Sequence, residues 1–343
     1  MVKPRVQLSD LSVCEHGGEQ DGADVIDFSV NLNPYGPPDF VLDVIKSAID
    51  AIKIYPDTEC SEIRARISQK FGCDTGEVLV GAGVSELIQL VTLTFMKTRA
   101  LMPQHTYGEY AVAAKMMGAK IKRIEMPDLR IDTELIMAEM KPDDVLFLCN
   151  PNNPTGQYLA KNAVAQILKE AERIDALVVL DEAYVDFVKH PFPAHTLATR
   201  NMIILRSLTK SFAIPGIRVG YAISAVENVK AMEKIQVPWS VSVFAQEIAA
   251  AAISTEGDAF LAETIEKVER SKEKMENALG IHSDANFYAV DVGNGREAKH
   301  ALLEAGIRVR DCSSFGLPHH IRFSIRTDDE NELLLHNFSL EKF

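Results

Sequence analysis

The sequence is poor in cysteine and in long apolar runs, so neither secretion nor membrane insertion is expected. Of its 343 residues only five are cysteine (Cys14, Cys60, Cys73, Cys149 and Cys312), an odd number, widely spaced and without a C-x-x-C pair. Such a set builds no disulfide framework and points to reduced thiols. No stretch approaches the roughly 20 apolar residues of a membrane span. The opening MVKPRVQLSDLSVCEHGG has no apolar segment of the kind a secretion signal needs. A soluble, cytoplasmic protein is expected, with no membrane partner. Glycine (19) and proline (15) are too sparse for a linker-rich or collagen-like chain. Basic residues are the minority, 36 Lys and Arg against 49 Asp and Glu, for a net charge of −13. That balance argues against nucleic acid, whose binding rests on phosphate neutralisation. It leaves room for a small anion, because a few arginines in a pocket outweigh the global field locally. The histidines, including His319-His320, show no metal-ligand spacing, so no metal is expected.

What is present is an ordinary globular mix, 47% apolar and 25% charged, long enough for about two domains. Short β-branched runs alternate with longer helical patterns. Glu77–Val80, Asp144–Cys149, Ala176–Leu180 and Met202–Leu205 read as strands, several apolar on both faces, as in a parallel sheet covered on each side. Val84–Met96 and Ala163–Ile174 read as helices between them, and amphipathic Phe40–Ile52 opens the unit. The fold class is α/β, with a mostly parallel central sheet between helices. After Trp239 the rhythm changes to a long charged helix over Ala259–Leu279, a strand at Phe287–Val292, a helix at Arg296–Ala305, and strands at Ile307–Arg310 and Ile321–Ile325. This predicts a large α/β domain over 38–240 and a smaller α+β domain made of 1–37 and 241–343.

Ligands of open parallel sheets bind beyond the carboxyl ends of the strands, and four strand ends carry chemistry. Gly81-Ala82-Gly83-Val84-Ser85 opens a helix whose first amides can hold a phosphate, although an ordinary strand-to-helix turn reads the same. Asn150-Pro151-Asn152-Asn153-Pro154-Thr155-Gly156 presents Asn153. Asp181-Glu182-Ala183-Tyr184 places a carboxylate where burial without a cationic partner is costly. Arg206-Ser207-Leu208-Thr209-Lys210 is followed by Arg218 and offers an activated amine. Each alone could be structural; their convergence is the signal.

Together, N-P-x-N-P-T-G, D-E-A-Y and S-L-T-K with an arginine eight residues on resemble the fold-type I pyridoxal-phosphate enzymes of the aspartate aminotransferase superfamily, over nearly the whole chain. The resemblance implies pyridoxal 5'-phosphate as cofactor, with Lys210 as its Schiff-base amine and Asp181 paired with the protonated ring nitrogen. Tyr184 and Asn153 would bond the phenolic oxygen, and Ser207, Arg218 and the turn Gly83-Val84-Ser85 the phosphate. Tyr107 would stack on the ring, and Tyr55 would reach the phosphate of a neighbouring subunit, which implies a homodimer. Buried amines have lowered pKa values, as attack on an aldehyde requires.

Finer motifs resemble the branch that contains histidinol-phosphate aminotransferases and the threonine-phosphate decarboxylases of cobalamin synthesis. Asn31-Leu32-Asn33-Pro34 and Tyr55-Pro56-Asp57 suit both. His16-Gly17-Gly18, Asp27–Pro34, Leu205–Gly216, Val237–Val241 and the second arginine of Ile321-Arg322-Phe323-Ser324-Ile325-Arg326 look more like the decarboxylases. The substrate implied is a small phosphorylated amino acid, L-threonine O-3-phosphate. Arg322 would hold its carboxylate, and His16, Arg310, Arg326, Asn31 and Asn33 its phosphate. Tyr35 is the aminotransferase-like choice, and transamination of histidinol phosphate is the alternative. A cofactor-binding protein without activity is a third reading, disfavoured by the retention of Lys210, Asp181 and Arg218.

Overall fold

The computed structural model describes residues 2, 5–8, 11, 14, 17–18, 25–197 and 199–338. Among these, the strands are β1 (Ile26–Asp27), β2 (Val78–Gly81), β3 (Arg99–Pro103), β4 (Lys120–Ile124), β5 (Val145–Cys149), β6 (Leu177–Asp181), β7 (Met202–Ser207), β8 (Gly220–Ser224), β9 (Phe287–Asp291), β10 (Ile307–Arg308), β11 (Arg310–Asp311) and β12 (His320–Ser324). The helices are α1 (Asp39–Ser47), α2 (Ser61–Phe71), α3 (Val84–Phe95), α4 (Glu109–Met116), α5 (Thr133–Glu139), α6 (Lys161–Ile174), α7 (Leu208–Ser211), α8 (Val226–Glu233), α9 (Val243–Ala252), α10 (Thr255–Leu279), α11 (Gly295–Glu304) and α12 (Asp328–Asn337). None is long and apolar enough to cross a membrane.

A seven-stranded sheet in the order β2-β8-β7-β6-β5-β3-β4 forms the centre. Its strands are parallel except β8, which runs antiparallel to both neighbours, β2 and β7. Strand residues alternate between two hydrophobic clusters. Val78, Leu146, Leu148, Val178, Leu180 and Ile204 pack on one face, and Leu79, Val145, Phe147, Val179, Ile203 and Leu205 on the other. That double burial explains why the runs are apolar without interruption. The covering helices show the 3.6-residue period: α6 buries Val164, Ile167, Leu168 and Ala171, and ends on Asp175 in a left-handed conformation at φ 59°.

A second, antiparallel sheet, β11-β12-β9, and the parallel pair β1-β10 surround a separate cluster with Phe28, Phe287, Tyr288, Ile321 and Phe323 at its centre. Tyr184 and Phe187, from the loop after β6, belong to this cluster, so the two layers meet at the sheet's carboxyl edge. The long helix α10 is capped by Ser254 Oγ, which accepts from Gly257 N, and stops at Gly280 with φ 67°.

Two elements differ from the sequence expectation. Ile307–Arg310, read as one strand, is two: β10 pairs in parallel with β1, and after Val309 β11 pairs antiparallel with β12. Phe40–Ile52, read as one helix, ends at Ser47 and continues as a 3-10 turn over Ile49–Lys53. Ile52, placed on the buried face by the helical period, is 63% exposed.

Candidate active site

The register aligns the four strand ends. Cys149 pairs with Asp181 and Asp181 with Leu205, while Ser207 pairs with Gly220 and Gly220 with Gly81. Side chains just beyond these positions therefore converge on one edge and line a cavity of about 210 Å³. Ser207 accepts from Thr209 N, capping α7 and starting the turn that carries Lys210 into the cavity. Burial lowers the Lys210 amine from 10.5 to about 8, helped by the charges of Arg322 and Arg218 and opposed by Asp181. A fraction of it is neutral at physiological pH.

Asp181 is 3% exposed at the end of β6. Its Oδ1 accepts from Ala183 N at 3.0 Å and its Oδ2 from Tyr110 Oη at 2.6 Å. Burial holds the carboxyl above the usual carboxylate range, against the pull of those two donors and of Lys210. A cationic partner in the cavity would offset that cost.

The α3 end of the cavity is shaped for a phosphate. Gly83 has φ +81°, and a Cβ there would lie 2.6 Å from Arg218 Nη2, so only glycine lets the guanidinium sit against the turn. Arg218, itself left-handed at φ 57°, is tied to Pro215 O at 3.3 Å. Gly83 supplies no capping side chain to α3, which leaves the helix's first amides, at Val84 and Ser85, for an anion. Tyr107 lines the wall beside Ser85. Burial pushes the Tyr184 phenol up to about 12, so it stays a hydrogen-bond donor. A phosphate cradle, an amine, a buried acid and a neutral phenol fit pyridoxal 5'-phosphate.

The opposite wall comes from the second sheet. Arg310 and Arg322 are register partners on β11 and β12, each 6% exposed, and both line the cavity. Arg322 donates to Asn153 Oδ1 and to Ser29 O, both neutral acceptors. Its Nε finds no partner among the described residues, nor do the two amide atoms of Asn31. A buried guanidinium among neutral oxygens is unfavourable by itself and favourable once an anion arrives. Phe315 lies against both cations, 6.0 Å from Arg310 and 5.9 Å from Arg322. Ser314 accepts from Arg310 Nη2 at 2.8 Å.

Of the residues expected from sequence, Gly83 supports the wall, and Val84, Ser85, Tyr107, Asn153, Asp181, Tyr184, Ser207, Lys210, Arg218, Asn31, Arg310 and Arg322 line the cavity. Arg326 and Asn33 lie elsewhere, and Tyr55, expected at a neighbouring subunit's site, is on the surface. Arg326 pairs with Glu330 at 2.9 Å, and Asn33 donates to Ser211 O and Thr264 Oγ1 at 2.8 and 2.9 Å, fastening the segment after β1 to α7 and α10. Tyr55 is 75% exposed and stacks on Trp239 at 4.5 Å. His16 lies outside the described residues. Sequence reading missed Thr209, Ser314, Phe315 and Tyr110. The signal for Ser314 and Phe315 was a connection between two strands that each carry an inward arginine. For Tyr110 it was a second tyrosine three residues after Tyr107, in the first turn of the helix that follows it.

Fold and site together define a fold-type I pyridoxal-phosphate enzyme. The model of the class I and II aminotransferases matches residues 23–338, and the chain belongs to that family. It is 31% identical over 329 residues to the histidinol-phosphate aminotransferase of Geobacillus sp. (strain WCH70), covering 91% of this chain and 89% of that protein. It is 30% identical over 323 residues to the Caldanaerobacter subterraneus subsp. tengcongensis protein named "Putative threonine-phosphate decarboxylase", with 89% and 87% covered. Among solved structures, the histidinol-phosphate aminotransferase of Clostridium acetobutylicum matches with a TM-score of 0.84 at 27% identity, covering 91% and 98%. Relatives bearing the two activity names thus stand at nearly the same distance.

Proposed function

We propose that the protein decarboxylates L-threonine O-3-phosphate to (R)-1-aminopropan-2-yl phosphate and CO₂. The observation that carries this reading is the pair Arg310 and Arg322, two guanidiniums buried on one cavity wall opposite Lys210. Such a pair suits a substrate with two anionic groups, here a carboxylate and a phosphate. Histidinol phosphate carries only one anion beside its imidazole, while the 2-oxoglutarate of that reaction carries two, so the assays below and not the arginine pair alone separate the readings.

Bound in the cavity, pyridoxal 5'-phosphate supplies an electron sink for the pair released when a bond to the substrate's Cα breaks. The chain's residues decide which bond that is. Arg322 grips the carboxylate and Arg310, with Asn31, the phosphate, and these two anchors turn the substrate about Cα. Anchored in this way, the substrate would offer its Cα–carboxylate bond to that sink. Asp181 would keep the ring nitrogen cationic. Tyr184 and Asn153 would hold the phenolic oxygen, Ser207, Arg218 and the Gly83–Ser85 turn the phosphate, and Tyr107 would cover the face. The ammonium form of Lys210, the majority at pH 7 for a pKa of about 8, would deliver the proton that replaces the lost carboxylate at Cα.

The second reading, histidinol-phosphate aminotransferase, is favoured by the identity to the Geobacillus protein. Two assays separate them. Threonine phosphate is expected to yield CO₂, whereas glutamate from histidinol phosphate and 2-oxoglutarate, without CO₂ from threonine phosphate, would overturn the proposal.

A homodimer is part of the same proposal. Ile49, Ile52, Ile54, Tyr55, Val237 and Trp239 are each 49% exposed or more, in two segments joined by the Tyr55–Trp239 stack, and an apolar surface of this kind calls for a partner. A cytoplasmic setting is supported by the five free cysteines. We also place the boundary between the two units near residue 254, not 240. Helix α9 buries Ala245, Ile248, Ala249 and Ala252 in the large-sheet cluster.

A further inference from the structure

Tyr110 is fully buried and touches two lining residues of the cavity, Asp181 and Tyr107, without lining it. Its hydroxyl donates to Asp181 Oδ2 at 2.6 Å, a length typical of a charge-assisted O–H···O⁻ bond. Its ring stacks on Phe147 of β5 at 4.9 Å and 7°, and meets Tyr107 edge-on at 5.5 Å and 83°. Tyr107 lies just before the N-cap of α4 and Tyr110 in its first turn, so one short stretch of chain carries both. Ala183 N holds the other carboxylate oxygen of Asp181. With one fixed donor on each oxygen, the carboxylate plane is set and lone pairs remain for a partner in the cavity.

Resting on the cofactor reading above, we propose that Tyr110 is a positioning residue, whose hydroxyl keeps Asp181 ionised and aimed at the cofactor's ring nitrogen while its ring backs Tyr107. One side chain thereby coordinates the anion at the nitrogen with the aromatic on the ring face. The burial that raises the carboxyl of Asp181 is countered first by this hydroxyl, so removing it favours the neutral acid, which cannot stabilise a cationic ring.

The test compares wild type with Tyr110→Phe, which keeps the ring and its stacking. Apoprotein of each is titrated with pyridoxal 5'-phosphate and with the analogue whose ring nitrogen is replaced by C–H. Wild type is expected to prefer pyridoxal 5'-phosphate. Tyr110→Phe is expected to bind pyridoxal 5'-phosphate about tenfold more weakly, as loss of one such hydrogen bond implies, and the analogue as before. Equal weakening of both ligands, or of neither, would overturn the proposal, since a packing defect cannot sense the ring nitrogen. A wild type that does not distinguish the two ligands would instead overturn the pairing of Asp181 with that nitrogen. A second measurement is the pH at which affinity for pyridoxal 5'-phosphate falls off on acidification. Its midpoint is expected to move up in Tyr110→Phe, and an unchanged midpoint would count against the role.

Discussion

The two walls of the cavity are built on opposite principles. On the cofactor wall, Asp181 has donors from Tyr110 and Ala183, Ser207 is engaged with Thr209, and Arg218 is tied to Pro215. Asp181 and Ser207 sit at the ends of central strands buried on both faces, and Arg218 on the turn before β8. On the substrate wall, Arg322 meets only neutral oxygens, and its Nε and the Asn31 amide have no partner among the described residues. These groups sit on two-residue and five-residue strands and on the connection that holds Phe315. The groups of the first wall are held in place by protein contacts, while the open α3 amides and the buried Asp181 carboxyl are left for a resident group. In the second, Arg322 is a buried cation whose hydrogen-bond acceptors are neutral, as suits an anion that arrives and leaves. Preorganisation is thus spent on the cofactor, while affinity for the substrate comes from relieving buried charge.

Substitutions on each wall should break that contrast in different ways. The largest effect is expected for Lys210→Met, with kcat/KM down by about 10³-fold or more in a steady-state CO₂ assay, since the proton donor is gone. The same variant should make the apoprotein more stable. Burial lowers the Lys210 pKa from 10.5 to about 8, so between those values the unfolded chain holds a proton that the folded one has released. Wild-type stability therefore rises with pH across that window, and below it carries the full penalty. Urea unfolding should show the variant ahead at pH 7 by about 1–3 kcal/mol and the gap closing toward pH 10. A flat difference would contradict the assignment.

Arg322→Ala comes next. KM for threonine phosphate should rise about 100-fold, in line with the loss of a charged hydrogen-bonding group, while titration with pyridoxal 5'-phosphate stays unchanged. Equal losses of substrate and cofactor affinity would erase the distinction between the walls. Phe315→Ala, which removes the ring lying against both guanidiniums, should raise KM about five- to tenfold, the scale of a partly desolvated cation–π contact. The smallest effect is expected for Arg326→Ala. Its ion pair with Glu330 is half-buried and away from the cavity lining, and less than about twofold in KM should follow. A large increase would bring Arg326 back to the substrate.

The contrast between the walls also explains what was legible in the sequence. The cofactor wall could be read because strands buried on both faces announce themselves as apolar runs, and whatever follows such a run must lie at a strand end. Asn153, Asp181, Ser207 and Lys210 were found that way. The substrate wall depends on pairings between short strands that leave little trace. Ile307–Arg310 reads as one run, yet the chain changes sheets after Val309, and this turns Arg310 toward Arg322. Arg326 follows Arg322 by four residues and read as its equal, but the strand ends at Ser324 and α12 takes Arg326 as a partner for Glu330. Ser314 and Phe315 carry no motif at all. Their importance comes from where β11 and β12 place the connection between them.

The central claim is that the bond to the carboxylate, rather than the bond to hydrogen, is the one that breaks at Cα. It is tested most directly by incubating the holoenzyme with L-threonine O-3-phosphate in deuterated water and following the mixture by proton NMR. The account requires 1-aminopropan-2-yl phosphate carrying a single deuterium at carbon 1, formed in step with CO₂. Loss of the α-proton signal from threonine phosphate, with the carboxylate retained and no CO₂, would contradict it.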